Sequence, residues 1–152
     1  MKRRRRILGL ILLAAGWLTA CTAADAPDAP RLEIVDAWAH TAVMADAAGT
    51  TSAAYLTIRN TGRQPDRLIG ASSNFAEFVE IHTTEERDGV MMMVPVAAVD
   101  IPARGEAVFK PGGLHIMFVN IAHGLTAGDK IDLTLRFEKS GPVAVEIAAR
   151  DP

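Results

Sequence analysis

Short apolar runs broken by turn residues every eight to twelve positions dominate the chain from Leu32 onward, which is the pattern of an all-β domain. Strands are expected over residues 32–38, 53–59, 67–71, 77–83, 90–95, 107–110, 114–119, 130–137 and 143–148. Asn60-Thr61-Gly62, Asp88-Gly89, Ala103-Arg104-Gly105, Pro111-Gly112-Gly113, Ala127-Gly128-Asp129 and Ser140-Gly141-Pro142 supply the turns, because Gly, Asn and Asp tolerate a left-handed backbone and Pro presets a bend. No window sustains a helical apolar period, so helix is limited to short turns, with residues 72–76 as the place for one. Small residues over 43–51 give no strand signal and read as a loop.

Residues 130–137 alternate most cleanly. Ile131, Leu133, Leu135 and Phe137 share one face, Asp132, Thr134 and Arg136 the other. Val143, Val145 and Ile147 continue the inward face, and Trp38, Tyr55, Phe75, Phe78 and Phe109 are expected to pack with them. About nine short strands in one compact domain imply a β-sandwich or barrel of Greek-key type.

The N-terminal segment changes the picture. Lys2 and Arg3 to Arg6 precede an apolar stretch from Ile7 to Leu18 that is too short to span a bilayer as a stable helix. It ends in Leu18-Thr19-Ala20-Cys21, which resembles the lipobox of bacterial lipoproteins. That resemblance implies a signal peptide over residues 1–20 and lipid on Cys21, the first mature residue. Residues 21–31 are rich in Ala, Asp and Pro and read as a flexible tether, leaving 32–150 as the folded domain. The product is then exported and held to a membrane by its lipid, with inner or outer membrane left open. Five of the 16 basic residues lie in the signal, so the mature chain has 11 against 18 acidic residues and a formal net charge of −7 instead of −2. An acidic domain without a basic cluster is a poor nucleic-acid binder. The single cysteine sits at the lipidation position, so the domain has no disulfide and no thiolate ligand. Blue-copper electron transfer, which needs a cysteine sulfur on the metal, is excluded.

The chemistry concentrates between His82 and Met117, a window holding two histidines and Met91, Met92, Met93 and Met117. In strand 77–83, Val79 and Ile81 share one face while Phe78, Glu80 and His82 share the other, which turns His82 toward a rim or surface. In strand 114–119, Leu114, Ile116 and Phe118 form the apolar face. His115 and Met117 point the opposite way, about 7 Å apart between Cα atoms. Met91 and Met93 share a face, and Met92 takes the other. Such histidines are commonly surface residues, and methionine runs commonly fill cores. Their conjunction in an exported, thiol-free domain points instead to copper(I), since thioethers and imidazoles are soft neutral donors that suit it. Zinc would favour His, Cys and carboxylate. Spacing alone leaves Met91, Met92 and Met93 as competitors.

The spacing His82, ten residues, Met93, twenty-one residues, His115, one residue, Met117 resembles the H-x10-M-x21-H-x-M pattern of the periplasmic PCuAC copper chaperones. Ala53-Ala54-Tyr55-Leu56-Thr57-Ile58-Arg59-Asn60, Val79-Glu80-Ile81-His82, Gly89-Val90-Met91-Met92-Met93 and Lys110-Pro111-Gly112-Gly113-Leu114-His115-Ile116-Met117 are similar to that family as well. The resemblance runs from about Ile34 to Ile147. It implies a cupredoxin-like β-sandwich that binds one Cu(I) through His82, Met93, His115 and Met117. It also implies delivery of copper toward the CuA centre of a haem-copper oxidase, with the oxidase CuA subunit and a Sco-type protein as transfer partners. His40 follows Trp38-Ala39 where many relatives carry Arg, leaving open an altered rim or an added ligand. The chain ends at Arg150-Asp151-Pro152 without the His/Met-rich extension of some members, so a single site is expected. His123 reads as a surface residue, and Met44 as a loop residue.

A copper chaperone without catalysis is therefore the leading expectation. A lipid-anchored interaction or assembly module and a periplasmic copper-tolerance buffer are the alternatives. No acid–base pair, Ser/His/Asp set or phosphate loop has the spacing an enzyme would need.

Overall fold

A computed structural model describes residues 28–41, 44–46 and 49–151. The expected signal peptide and Cys21 lie outside these residues. Eleven strands form one continuous sheet: β1 Leu32–His40, β2 Met44–Asp46, β3 Gly49–Asn60, β4 Asp66–Ser73, β5 Ala76–Arg87, β6 Val90–Pro95, β7 Val99–Ile101, β8 Glu106–Phe109, β9 His115–Ile121, β10 Lys130–Phe137 and β11 Gly141–Arg150. Their order is β6-β5-β9-β3-β1-β11-β10-β4-β7, with β2 and β8 also paired to β3. The ribbon curls on itself, bringing β4 against β5 and β7 against β8 and β3, and the result is a cupredoxin-like sandwich.

Nine strands were expected and eleven occur among the described residues. The additions, β2 and β7, are three residues long, too short for side-chain alternation to reveal. Residues 43–51, expected as a loop, instead carry β2 and the start of β3, paired from Met44–Thr51 to Asp46–Gly49. The expected helical turn at 72–76 is absent, and there is no helix among the described residues. Ser73 replaces it: its hydroxyl donates to the Asp132 carbonyl (2.7 Å) and accepts from Phe75 N–H (3.2 Å), so the chain reverses directly from β4 into β5. Phe75 then packs edge-on against Phe118.

The core follows the predicted alternation. Leu56, Ile58, Leu68, Ile101, Ile116, Phe118, Leu133, Leu135 and Ile147 are fully buried, each contributing roughly 1.5–3 kcal/mol. Three aromatic residues depart from the expected packing: Trp38 and Tyr55 pack on each other outside the buried core cluster, and Phe78 is 52% exposed, because it alternates with the inward Val79 and Ile81.

β1 holds the sandwich together. It runs antiparallel to β3 and parallel to β11, with a register shift between Val35 and Trp38. Asp36 takes the left-handed conformation there (φ 52°), the mark of a bulge that inserts one residue. The insertion sets Trp38 opposite Tyr55 and Ala39 opposite Ala54. Trp38 contacts the Tyr55 ring, and the Arg150 guanidinium lies 4.3 Å from the Trp38 ring centre.

Asp66, almost fully buried, ties the β10–β11 turn to β4. Its carboxylate accepts from Arg67 N–H (2.8 Å), Lys139 N–H (2.9 Å), Ser140 N–H (3.0 Å) and the Ser140 hydroxyl (2.6 Å). Burial pushes its pKa up, but the four donors outweigh it and hold the carboxyl below the usual aspartate value. Asp66→Ala, which strands these donors, is expected to cost on the order of 3 kcal/mol in urea unfolding. The folded pKa is depressed, so this stabilisation is complete above the unfolded value of 3.8 and disappears as pH falls through the lower folded value. The variant should lack that acid-dependent component.

Candidate metal centre

Four strands, β3, β9, β5 and β6, build the site by register. On β5 and β9, His82 lies directly opposite His115, and Glu80 opposite Met117. On β6, Met93 lies opposite Thr84, and on β3, Ala53 lies opposite Met117. Directly opposed residues share a face, so His82, His115, Met117 and Met93 all project to one side. Val79, Ile81, Ile116 and Phe118 project to the other, into the core.

The two imidazoles are 5.9 Å apart between ring centres, and each is held by one nitrogen. His82 Nε2–H donates to the Glu80 carboxylate (2.8 Å), and His115 Nδ1–H donates to the Gly113 carbonyl (2.9 Å). The remaining nitrogens, His82 Nδ1 and His115 Nε2, are buried and have no partner. Among the described residues they are the buried side-chain N or O atoms left unsatisfied. An imidazole tied at one nitrogen to a carboxylate or carbonyl, with its other lone pair free, is the arrangement of a metal-ligating histidine. Burial lowers the His115 pKa, the Gly113 carbonyl opposes this, and charge on His82 lowers it further; the net shift is downward. His115 is thus neutral at pH 7 and presents a lone pair.

His82 differs from expectation in one respect. Sequence alternation turned it toward a rim or surface, yet only 8% of it is exposed. It does leave the core face, but β5 runs between β6 and β9, and the side chains on that face enclose it. His115 (4%) and Met117 (8%) are buried beside it, whereas Met93 is 51% exposed. A cavity of about 80 Å³ is lined by Thr51, Ala53, Tyr55, Met93, His115 and Met117 among others. That space suits an ion and is far below the several hundred Å³ of an organic-ligand pocket. Among the described residues no three His, Cys, Asp or Glu side chains group to hold a metal. An ion at this face would therefore meet two imidazoles and thioethers, a soft neutral donor set.

The turn before β9 holds His115 in place. Lys110 N–H donates to the Leu114 carbonyl and Gly113 N–H to the Lys110 carbonyl, and Gly112 adopts φ +73°, which suits glycine. Sequence reading missed both orienting groups, Glu80 and the Gly113 carbonyl. The available signal was their position, two residues before each histidine.

Met93, His115 and Met117 line the cavity, while His82, opposite His115, does not, and neither do the other described candidates. Met91 shares the Met93 face opposite Glu86, and Met92 takes the reverse face opposite Glu85. His40 is half-buried near Trp38, and its carbonyl accepts from the Ser52 hydroxyl. His123 is on the surface as expected, edge-on to Phe75. Cys21 and the Met44 side chain lie outside what is described.

The fold is that of solved PCuAC domains. The chain is similar to the copper-bound PCuAC domain from PmoF2, with a TM-score of 0.63 and 26% identity over 80% of this chain and 93% of that one. It is also similar to apo-DR1885 from Deinococcus radiodurans, with a TM-score of 0.58 and 26% identity over 95% and 97% of the two chains. The family model "Putative lipoprotein LpqE-like" matches residues 32–149, and the chain belongs to that family. The Leifsonia xyli subsp. xyli protein named "Putative lipoprotein Lxx21020" is 33% identical over 144 residues, 93% of this chain and 83% of the relative. A Rickettsia prowazekii protein, RP573, is 31% identical over 132 residues, 83% and 71% of the two chains.

The unpaired nitrogens predict an unusual mutational response. His115→Leu removes one of them and is expected to leave the stability of the metal-free protein within about 1 kcal/mol of wild type, or higher. Ile116→Ala, on the opposite face of the same strand, should cost about 3–4 kcal/mol. Because the folded pKa of His115 lies below the ordinary 6.5, wild type should lose stability as pH falls from that value toward the lowered one. His115→Leu should remove this component from urea titrations run at several pH values.

Proposed function

We propose that this protein is an exported, lipid-anchored copper(I) chaperone that carries one ion at His82, Met93, His115 and Met117 and passes it toward the CuA site of a haem-copper oxidase. The observation that carries this reading is the pair of buried, partnerless nitrogens, His82 Nδ1 and His115 Nε2, on the face that also holds Met117 and Met93. Similarity to a copper-bound PCuAC domain and to the copper(I) form of DR1885 supports the choice of ion. The lipoprotein naming of the family and of a relative supports export and anchoring through Cys21.

Each residue has a distinct task. Glu80 and Gly113 fix the two rings, so that lone pairs and not N–H groups face the ion. Met117 supplies a buried thioether and Met93 an exposed one. Neutral donors hold Cu(I) without a thiolate, which an oxidising compartment would convert to a disulfide. The exposed side at Met93 gives an acceptor access, and nothing in this scheme requires the protein to break a covalent bond.

Competition against bathocuproine disulfonate tests the site. One equivalent of Cu(I) should bind tightly, and His115→Ala combined with Met117→Ala should abolish binding. Glu80→Gln should weaken it about 10- to 100-fold through the misoriented His82 ring. Retained affinity in the double variant would sink the assignment and favour an interaction module. In cells, a deletion strain should lose oxidase activity and regain it with added copper. Copper sensitivity with normal oxidase would identify a tolerance buffer instead. Cys21→Ser should end membrane attachment, read by fractionation.

A further inference from the structure

Met91, Met92 and Met93 stand on an edge strand, β6, with 59%, 45% and 51% of their surfaces exposed. They are not core filler. Proteins ordinarily blunt such edges with charge, proline or a bulge, so three consecutive apolar side chains here call for a reason. Alternation divides them: Met91 and Met93 share the metal-centre face, and Met92 takes the reverse. Met91 lies one pleat nearer the Asp88-Gly89 turn, about 7 Å from Met93 between Cα atoms, and outside the cavity lining. Its side chain turns about three bonds and ends in a polarisable sulfur. Glu86 lies directly opposite Met91 on β5 and so shares its face. His115 and Met117, being buried, cannot follow an ion to the surface.

We infer that Met91 is an outer thioether station, bonded to Cu(I) transiently as the ion enters or leaves the centre. The inference rests on the copper(I) reading above. In the exchange a Met91 Sδ–Cu bond forms and one imidazole–Cu bond breaks, so the number of donors is kept. Copper remains Cu(I), and no proton moves. The ion is then held by Met91, Met93, Met117 and the remaining imidazole, with two of its four donors exposed on β6, where an incoming donor can replace them one at a time.

Leucine substitution removes each sulfur while keeping an apolar side chain at an exposed position. Copper(I)-loaded intact protein mixed with excess bathocuproine disulfonate in a stopped-flow instrument reads the release rate, and equilibrium competition reads affinity. Met91→Leu should keep affinity within about threefold and slow release about tenfold, a separation expected of a transient donor. Met92→Leu should change neither, and Met93→Leu should lower affinity. With methionine methyl groups labelled in 13C, titration with Ag(I), a diamagnetic stand-in for Cu(I), should shift the Met91 resonance as well as those of Met93 and Met117. Wild-type release in Met91→Leu, or an unshifted Met91 resonance, would overturn the station. A Met91→Leu affinity loss as large as that of Met93→Leu would also overturn it, making Met91 a resident ligand. A wild-type protein that takes up no Cu(I) overturns the copper reading and the station together.

Discussion

The site depends on one cross-strand pairing, His82 against His115, and that pairing is enforced from the opposite side of the sheet. Val79 and Ile81 on β5 and Ile116 and Phe118 on β9 face the core. A one-residue slip would carry every side chain of β5 to the other face, exposing Ile81 and burying His82 in hydrocarbon. Apolar packing thus locks the register, and the register aligns two imidazoles that have no bond to each other. The candidate metal centre is positioned by residues on the opposite face of the sheet.

Among the described residues, every other buried side-chain N or O atom has a partner. Asp66 accepts from four donors, and Asn60 accepts from Arg31 and Gly62 N–H while donating to the Gln64 carbonyl. Against that background, two unsatisfied imidazole nitrogens are a local departure from the rule that buried polar atoms find partners. In the proposed centre, these open lone pairs are the groups that would meet an ion.

Alternation made much of this legible in the sequence. It correctly divided Val79 and Ile81 from Glu80 and His82, and Ile116 from His115 and Met117, because a strand's period of two is local. It could not say which outward face would later be covered. His82 and Phe78 share one face of β5, yet His82 is enclosed while Phe78 stands open, a difference set by neighbouring strands. The bulge at Asp36 also escaped, since one inserted residue moves Trp38 onto the Tyr55 face without any apolar signature. Met93 could be separated from Met91 and Met92 in sequence only by family spacing; in the structure the register removes Met92 to the other face, and of the three only Met93 borders the cavity.

The unequal burial of the two thioethers has a redox consequence. Met117 is shielded inside the sheet, and Met93 is open to solvent. Peroxide in the surrounding compartment would reach Met93 before Met117 and turn its soft sulfur into a sulfoxide, a polar group presenting a hard oxygen. The proposed centre would then age in order, losing its edge donor while both imidazoles and the inner thioether stayed intact. Sulfoxide reduction restores the lost donor, so such damage would be repairable without unfolding the domain.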